Sequence, residues 1–247
     1  MDKSFYKNYF TYENDHWWFK TRRNLVLDLI NSYRMNSDNS RIRIFDYGCA
    51  SGSLIKKLQG DGFASSGGDI SEEAVSFGLA NGVRNLSVIS ANTVKHQDNS
   101  FDFVLALDIL EHLPDESLAI KEIERILKPG GVGIFFVPAF QFLWGVQDEI
   151  SHHYRRYTLP QILSVVKRVG SFEIVRKSYF NTILFGPVAV VRILTKWLKI
   201  KGRESDFEIN NKFFNRILYR LFNLERLLLR YFNFSFGVSI LLVLRKK

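Results

Sequence analysis

Strand-like and helix-like segments alternate through the first 140 residues, and this alternation constrains the fold more than any other feature. Short runs rich in β-branched and aromatic residues predict strands over 41–47, 63–70, 86–90, 101–107 and 132–137. Amphipathic segments between them predict helices over 51–59, 71–81 and 115–127. Strands that alternate with helices at this spacing predict an α/β fold with a doubly wound parallel sheet.

The remainder of the chain adds a helix, two strands and a long helical segment. A helix is predicted over 158–169, and strands are predicted over 172–180 and 236–244. About 55 residues of helical character separate the two strands, which is too long for a simple connection. The sequence therefore predicts a helical insert before the final strand.

Charge is divided unequally between the two parts of the chain. Residues 1–150 carry 15 Lys and Arg against 20 Asp and Glu, for a net charge of −5. Residues 151–247 carry 19 against 5, for a net charge of +14. This division predicts a core domain and a basic part that faces a phosphorylated substrate, a membrane surface or nucleic acid. A well-solvated basic face is the alternative.

The compartment is predicted from cysteine usage and apolar runs. Cys49 is the only cysteine, which is typical of a reducing compartment and excludes a disulfide scaffold. Residues 1–20 contain no apolar core of a signal peptide. The apolar runs 183–191 and 236–244 are far shorter than the roughly 20 residues that a membrane span requires. We expect a cytoplasmic protein, with the inner face of a membrane as a peripheral alternative.

The first predicted strand ends in a glycine-rich turn, Asp46–Gly52. Glycines there allow the backbone to approach a ligand closely, ahead of a helix N-terminus. Asp69 ends the second predicted strand, 17 residues after Gly52. In a nucleotide-binding α/β fold, a carboxylate at this place bonds the ribose hydroxyls. The two features together predict a nucleotide-like cofactor.

These motifs, followed by the runs 100–115 and 127–131, resemble class I S-adenosylmethionine-dependent methyltransferases in both content and order. Gly48 and Gly52 match the family's glycines, whereas Ala50 replaces the middle one and is expected to fit if its φ is negative. The resemblance implies S-adenosylmethionine as cofactor. It also implies a Rossmann-like seven-stranded sheet in the order 3-2-1-4-5-7-6, with the last strand antiparallel.

The same resemblance implies a set of cofactor-binding residues. Asp69 would bond the ribose, and the segment from Ser90 lies where the family contacts adenine, although Ser90 itself stands where an Asp is common. The implied set is Asp46, Gly48, Cys49, Ala50, Gly52, Asp69, Ile70, Ser90, Ala91, Asn92 and Leu107.

Asp108, Glu111 and His112 follow the fourth predicted strand, beside the expected position of the transferred methyl group. Asp108 and His112 are candidate bases for a hydroxyl acceptor. The spacing resembles the ubiquinone-pathway O-methyltransferases, in which it is associated with a divalent metal. Two carboxylates and an imidazole could hold such an ion. The favoured alternative is a pocket wall without metal, so no metal ligand is predicted.

A second cluster, Ser151–Thr158, follows the fifth predicted strand, where this fold places acceptor-binding loops. His152 or His153 could be the base, because imidazole exchanges protons near neutral pH. Arg155 and Arg156 could bind a phosphate or carboxylate, with Tyr157 beside them. The alternative is that Thr158 caps the next helix while the basic residues pair with Asp148 and Glu149.

This cluster and the segment 178–181 are similar to a group of microbial methyltransferases of surface-glycan or lipid pathways, as is the N-terminal segment 15–23. There the N-terminal segment is expected to form a lid helix in which Trp17 and Trp18 face the acceptor or pack in the core. The predicted organisation is a lid over 1–40, a core over 41–180, an insert over 181–235 and a final strand over 236–247.

The insert contains basic residues at helical spacing. Arg216, Arg220, Arg226 and Arg230 share one face of a helix whose other face is Phe- and Leu-rich, and only Glu225 opposes their charge. This pattern is typical of an interfacial helix on anionic lipid. Packing of the apolar face inside the fold and a homodimer interface are the alternatives.

The predicted function is S-adenosylmethionine-dependent methyl transfer to a small-molecule, lipid or glycan-precursor acceptor. Acceptors at oxygen or carbon are favoured because no Asn-Pro-Pro-Tyr or Asp-Pro-Pro-Tyr motif of amino-directed nucleic-acid methyltransferases is present, and oxygen is the leading prediction. The alternatives are an RNA or other nucleic-acid methyltransferase, suggested by the basic half, and a non-enzymatic peripheral membrane adaptor.

Overall fold

A central seven-stranded sheet organises the chain in a computed structural model that describes residues 16–35, 38–90, 93–197 and 212–247. The strands are β1 (Arg43–Tyr47), β2 (Ala64–Asp69), β3 (Leu86–Val88), β4 (Phe101–Leu107), β5 (Leu127–Pro138), β6 (Phe172–Phe180) and β7 (Ser239–Lys246). Their spatial order is β3-β2-β1-β4-β5-β7-β6. β7 pairs antiparallel with both β5 and β6, and the β1–β2, β1–β4, β2–β3 and β4–β5 pairs are parallel. The predicted fold class and strand order are confirmed.

The helices begin at residues that suit helix starts. Ser71 Oγ accepts a hydrogen bond from the Ala74 amide, and the Thr158 hydroxyl and Gln161 form a capping box. The helices are α1 (Trp17–Tyr33), α2 (Ser53–Gly60), α3 (Glu72–Ala80), α4 (Glu116–Ile126), α5 (Val146–Ile150), α6 (Leu159–Val169), α7 (Phe185–Trp197) and α8 (Lys212–Leu228). Short 3₁₀ turns cover Asn39–Arg41, Leu110–His112 and Gln141–Leu143.

Both faces of the sheet are covered by helices. On one face, α4 and α6 contribute Ile120, Ile123 and Ile162 to a core with alternate residues of β4, β5 and β7. On the other face, α1, α2 and α8 pack through residues such as Leu29 and Leu58. β4 and β5 are therefore buried on both sides, as expected for central strands of a doubly wound sheet.

The described part of the predicted lid is a helix of this second layer. Leu25, Val26, Leu29 and Ile30 of α1 are buried against the sheet. Only the first turns of α1 approach the carboxyl end of the strands, where Arg22 pairs with Asp108. Residues 1–15, which complete the predicted lid, lie outside the described residues.

The described part of the insert consists of α7 and α8, and its basic stripe is split. Arg226 and Arg230 pair with Asp28 of α1, so this half of the stripe faces the fold. Arg216 and Arg220 are exposed. Glu225 is buried, and its carboxylate accepts hydrogen bonds from the Thr182 and Ile183 amides at 2.8 and 3.0 Å. It therefore fixes α8 to the start of the insert and does not oppose the arginines at the surface.

Within the described residues, each helix is too short or too polar to cross a lipid bilayer.

Candidate active site

The glycine turn, Asp46–Gly52, brings backbone to the carboxyl end of β1. Gly48 and Gly52 adopt φ of 82° and 75°, and a Cβ at Gly48 would lie 2.7 Å from the Ile109 side chain. Ala50 adopts φ of 48°, so the expectation of a negative φ there is wrong. The turn passes through left-handed conformations at all three positions, and Ala50 tolerates this conformation at a cost that a glycine avoids. The resulting cradle is open for a ligand that meets the helix N-terminus.

Asp69 is held beside this turn by two backbone amides. Its Oδ2 accepts a hydrogen bond from the Ala50 amide at 2.7 Å, and its Oδ1 accepts one from the Ser71 amide at 2.9 Å. Burial raises the pKa of Asp69, and the amide hydrogen bonds oppose that rise. The carboxylate is thus oriented across the mouth of the turn, in the place that suits a pair of ribose hydroxyls.

The other predicted cofactor residues surround this turn to different extents. Asp46 and Cys49 are buried beneath it, and Leu107 is half-buried at the end of β4. Ile70 follows β2 and is 62% exposed, so its side chain is accessible to a flat ring. Ser90 is exposed, and its hydroxyl bonds the Thr93 carbonyl at 3.4 Å. Ala91 and Asn92 lie outside the described residues.

Asp108 is engaged by a residue of α1. It follows β4 with φ of 54°, and its carboxylate forms an ion pair with Arg22. The Arg22 guanidinium also lies 5.3 Å from the Trp18 ring and 5.6 Å from the Phe136 ring. Arg22 neutralises Asp108 and ties α1 to the end of β4. The structure therefore places Asp108 in an ion pair, which disfavours its predicted role as a base.

Glu111 is a fully buried carboxyl group at the centre of the site. Its exposure is 0%, and neither carboxyl oxygen has a hydrogen-bond partner among the described residues. Burial, and then the charge of Asp108, raise the pKa of Glu111 well above its usual range. An unsatisfied buried carboxyl group is costly, so it marks a position that a ligand, ion or proton is expected to occupy.

Two histidines meet next to Glu111. The His112 and His153 rings are 4.5 Å apart between centroids and nearly perpendicular. His153 Nδ1 lies 2.8 Å from Oδ1 of the buried Asp148. Burial, and then the neighbouring His153, lower the pKa of His112 to about 4. We call Glu111, His112, Asp148 and His153 the histidine cluster.

Asp148 is the buried anion that organises this cluster. Burial alone would raise its pKa, but hydrogen bonds and charge from His153 and Arg156 outweigh burial and lower the pKa to about 2. In a neutral His153 ring, the Nδ1–H group donates a hydrogen bond to the Asp148 carboxylate, which leaves Nε2 as the acceptor. The Asp148 carboxylate thus orients His153 as a carboxylate orients a general base.

Both predicted anion-binding arginines are paired within the chain. Arg156 makes a bidentate contact with Asp148, at 2.8 and 2.9 Å, and its side chain is 8% exposed. Arg155 pairs with Glu116 at the start of α4 and donates to the Pro114 carbonyl at 2.7 Å. The structure therefore gives both arginines structural partners, which is the alternative in which the basic residues pair with carboxylates. The pairing of Arg155 with Glu116 was not anticipated.

The remaining predicted residues of this loop separate into two environments. Tyr157 is 3% exposed, and burial raises its pKa. Its hydroxyl has no hydrogen-bond partner among the described residues, so a polar acceptor group could satisfy it. His152 is exposed, with φ of 54°, and lies outside the histidine cluster.

Trp17 and Trp18 pack mainly against the insert. Trp18 stacks on Phe222 with ring centroids 5.2 Å apart and on Phe180 at 6.0 Å. The Trp17 amide donates to Asn215 Oδ1 at 2.7 Å. Both indoles are half-buried, so core packing accounts for most of their contacts.

Glu116 and Arg22 are site residues that the sequence reasoning did not assign, and Asp148 was named there only as a possible partner of the basic residues. Each acts through a partner that is distant in sequence or on another element. Asp148 offered one usable signal, an acidic residue a few positions before a His- and Arg-rich segment.

A group of three ligand atoms suits a divalent cation. Glu111, His112 and His153 each offer one atom, and these atoms lie within 4.8 Å of one another. His153 replaces Asp108 in the donor set suggested by the sequence, because Asp108 pairs with Arg22. The Asp148–His153 hydrogen bond would orient that ligand as outer-shell carboxylates do in metal sites.

Comparison with known proteins indicates a methyltransferase domain. A family model described as a methyltransferase domain matches residues 45–135, which span the glycine turn, Asp69 and β4. The ubiquinone biosynthesis O-methyltransferase of Thiobacillus denitrificans is 24% identical over 181 residues, covering 64% of this chain and 78% of that protein.

Solved structures share the fold. In a complex between the Haloferax volcanii Trm112 methyltransferase activator and a putative methyltransferase, one chain matches with a TM-score of 0.63. It is 17% identical, and the match covers 98% of this chain and 94% of that one. Phosphoethanolamine N-methyltransferase 2 of Haemonchus contortus, solved with S-adenosylmethionine, matches with a TM-score of 0.55 and 18% identity, over 90% of this chain and 52% of that one. The methyltransferase-domain match and the O-methyltransferase relatives support a class I S-adenosylmethionine-dependent methyltransferase.

Proposed function

We propose that the chain transfers the methyl group to a hydroxyl oxygen of a small-molecule acceptor, of the lipid or glycan-precursor kind. The observation that carries this proposal is the histidine cluster, in which a buried carboxylate orients an imidazole at the end of β4. A hydroxyl group is a weak nucleophile and benefits from a base that removes its proton. The similarity to O-methyltransferases supports oxygen as the methylated atom.

The chain's own residues position the reactants and move one proton. When bound, S-adenosylmethionine supplies a methyl group made electrophilic by a positively charged sulfur. The glycine turn and Asp69 would hold the nucleoside part of this cofactor. His153 Nε2 would take the proton of the acceptor hydroxyl as its oxygen receives the methyl group. Asp148 stabilises the imidazolium that results.

Exchange of the two neighbouring histidines tests this assignment. We expect His153→Asn to lower methyl transfer by about 100-fold, the usual contribution of a general base, with unchanged cofactor affinity. The matched variant His152→Asn changes an exposed residue of the same type and is expected to retain activity. Activity is measured as radiolabel transferred from methyl-labelled S-adenosylmethionine to acceptors in a cell extract, separated into organic, aqueous and nucleic-acid fractions.

The fraction that contains the radiolabel identifies the class of acceptor. Label in the organic or the aqueous small-molecule fraction supports the proposal. Label in RNA or DNA contradicts it and supports a nucleic-acid methyltransferase. Equal activity of His153→Asn and His152→Asn would exclude His153 as the base.

Metal-assisted methyl transfer is a second candidate, favoured by the donor set Glu111, His112 and His153. A bound divalent cation would lower the pKa of an acceptor hydroxyl that it contacts. Calorimetric titration with Zn²⁺, Mn²⁺ and Mg²⁺ tests this candidate without turnover. We expect a single site that Glu111→Gln weakens about 10- to 100-fold or more, because one ligand is lost. If no cation shows saturable binding, the metal-assisted mechanism is excluded and the mechanism with His153 as the base, without metal, is retained.

A further inference from the structure

The outward face of α8 exposes a continuous row of large apolar side chains. Ile217, Leu221, Leu224 and Leu228 recur every three or four residues, and they are 38%, 38%, 52% and 38% exposed. We call this row the outer stripe. Single exposed apolar residues are ordinary on a protein surface, whereas an ordered row of this kind marks an interaction surface.

Contacts on the opposite face of α8 fix the rotation of this helix about its axis. The outer stripe is therefore held facing outward. Phe222 stacks on Trp18, and Glu225 accepts two amide hydrogen bonds from the start of the insert. Arg226 and Arg230 pair with Asp28. The inner face is thus satisfied by contacts within the fold, whereas the side chains of the outer stripe remain at least 38% exposed.

Basic side chains border the outer stripe. Arg216 and Arg220 are exposed one helical turn apart along its edge. Helix α7 repeats the apolar part of the pattern, with Val190, Ile193 and Trp197 at 56%, 57% and 78% exposure. Exposed tryptophan, leucine and arginine together are typical of helices that lie in the headgroup region of a bilayer.

We propose that the outer stripe, with Arg216 and Arg220, docks the enzyme on a membrane surface of anionic lipid. The apolar side chains would enter the acyl boundary, and the arginines would extend to the phosphate groups. Charge complementarity favours lipid over a second copy of the chain. A symmetric dimer brings the same patch of both subunits together and would place like charges near one another, whereas anionic lipid neutralises them.

The docking surface is linked to the active site through α1. Asn215 of α8 contacts the Trp17 amide, and Arg22, less than two turns further along α1, pairs with Asp108 at the end of β4. The helix that carries the outer stripe therefore contacts α1, the helix that reaches the end of β4. This inference is independent of the hydroxyl chemistry, because vesicle binding is measured without turnover.

Co-sedimentation with vesicles tests the proposal. We expect the full chain to bind vesicles of phosphatidylcholine mixed with phosphatidylglycerol and not to bind vesicles of pure phosphatidylcholine. High salt should dissociate the bound protein. Each basic side chain near such a surface contributes about fivefold in affinity, so the double variant Arg216→Glu and Arg220→Glu is expected to bind at least about 25-fold more weakly.

A matched charge reversal serves as control. Lys167→Glu with Arg168→Glu removes the same charge from exposed positions of α6 and is expected to bind nearly as well as the unchanged chain. S-adenosylmethionine affinity of every variant reports that the fold is intact. Equal loss in both double variants, or no binding of the unchanged chain to anionic vesicles, would overturn the proposal. A concentration-dependent dimer that Leu224→Glu disrupts, without vesicle binding, would assign the stripe to a second copy.

Discussion

The glycine turn and the histidine cluster both lie at the carboxyl end of the parallel strands, but they are held in place by different kinds of contact. In the glycine turn, the left-handed backbone conformation sets the shape of the site, and two main-chain amides orient Asp69. In the histidine cluster, side chains hold one another, and Asp148 is bonded by both His153 and Arg156. Backbone-built sites depend on local sequence, whereas side-chain networks depend on the tertiary fold.

The largest expected effect is on cofactor affinity, through Asp69 beside the glycine turn. Asp69→Ala removes the carboxylate proposed to bond two ribose hydroxyls, each bond contributing about 1.5–3 kcal/mol. We expect calorimetry to show S-adenosylmethionine affinity at least about 100-fold lower. Glu72→Ala, an exposed carboxylate at the start of α3, should retain affinity. Unchanged affinity in Asp69→Ala would show that the ribose binds elsewhere.

The next effect concerns the side-chain network. Asp148→Asn leaves the Arg156 guanidinium buried without its anion, at an expected cost of about 3 kcal/mol in the free energy of unfolding. Asp98→Asn breaks an exposed pair with Arg125 and should cost about 0.5 kcal/mol or less. Urea unfolding compares the two variants. Equal costs would mean that the buried network contributes no more than a surface pair.

These differences explain what could be predicted from the sequence. The strand order was implied by the family resemblance. The places of Gly48, Gly52 and Asp69 at the ends of strands follow from local motifs, because turn and strand residues specify their own conformation. The positive φ of Ala50 was not predictable, since alanine carries no sign of a left-handed position. Arg155 pairs with Glu116, 39 residues away, and only the folded chain brings such partners together.

The third prediction is an intermediate effect of pH on stability, through His16 at the start of α1. The neutral His16 ring accepts a hydrogen bond from the Trp18 amide at 3.3 Å, and burial lowers the pKa of His16 to about 4. The unfolded chain takes up a proton near pH 6.5, before the folded chain does, so stability is complete above that pH and falls as pH decreases toward 4.

We expect this histidine to account for about 2 kcal/mol of stability lost between about pH 7.5 and pH 5. His16→Asn keeps a capping acceptor that does not titrate, so the difference between the two pH profiles isolates the histidine. Urea unfolding monitored by tryptophan fluorescence gives both profiles. Parallel profiles would show that His16 does not control the start of α1.

The smallest effect is expected at Arg155, whose side chain is 30% exposed. Arg155→Ala should cost about 1 kcal/mol in the free energy of unfolding, because a partly solvated ion pair contributes little. The KM for the acceptor should be unchanged. An increase in that KM without loss of stability would instead support an acceptor anion bound by Arg155.

The place of β7 between β5 and β6 has a consequence for synthesis on the ribosome. β6 ends at residue 180 and pairs with β7, which begins at residue 239. At the usual rate of translation, β6 waits roughly 3 to 12 seconds for this neighbour to be made. During that time β5 and β6 each present an unpaired edge with apolar side chains, which other chains can join. The growing polypeptide is therefore most exposed to aggregation after its cofactor-binding half has emerged, and chaperone dependence should concentrate in that interval.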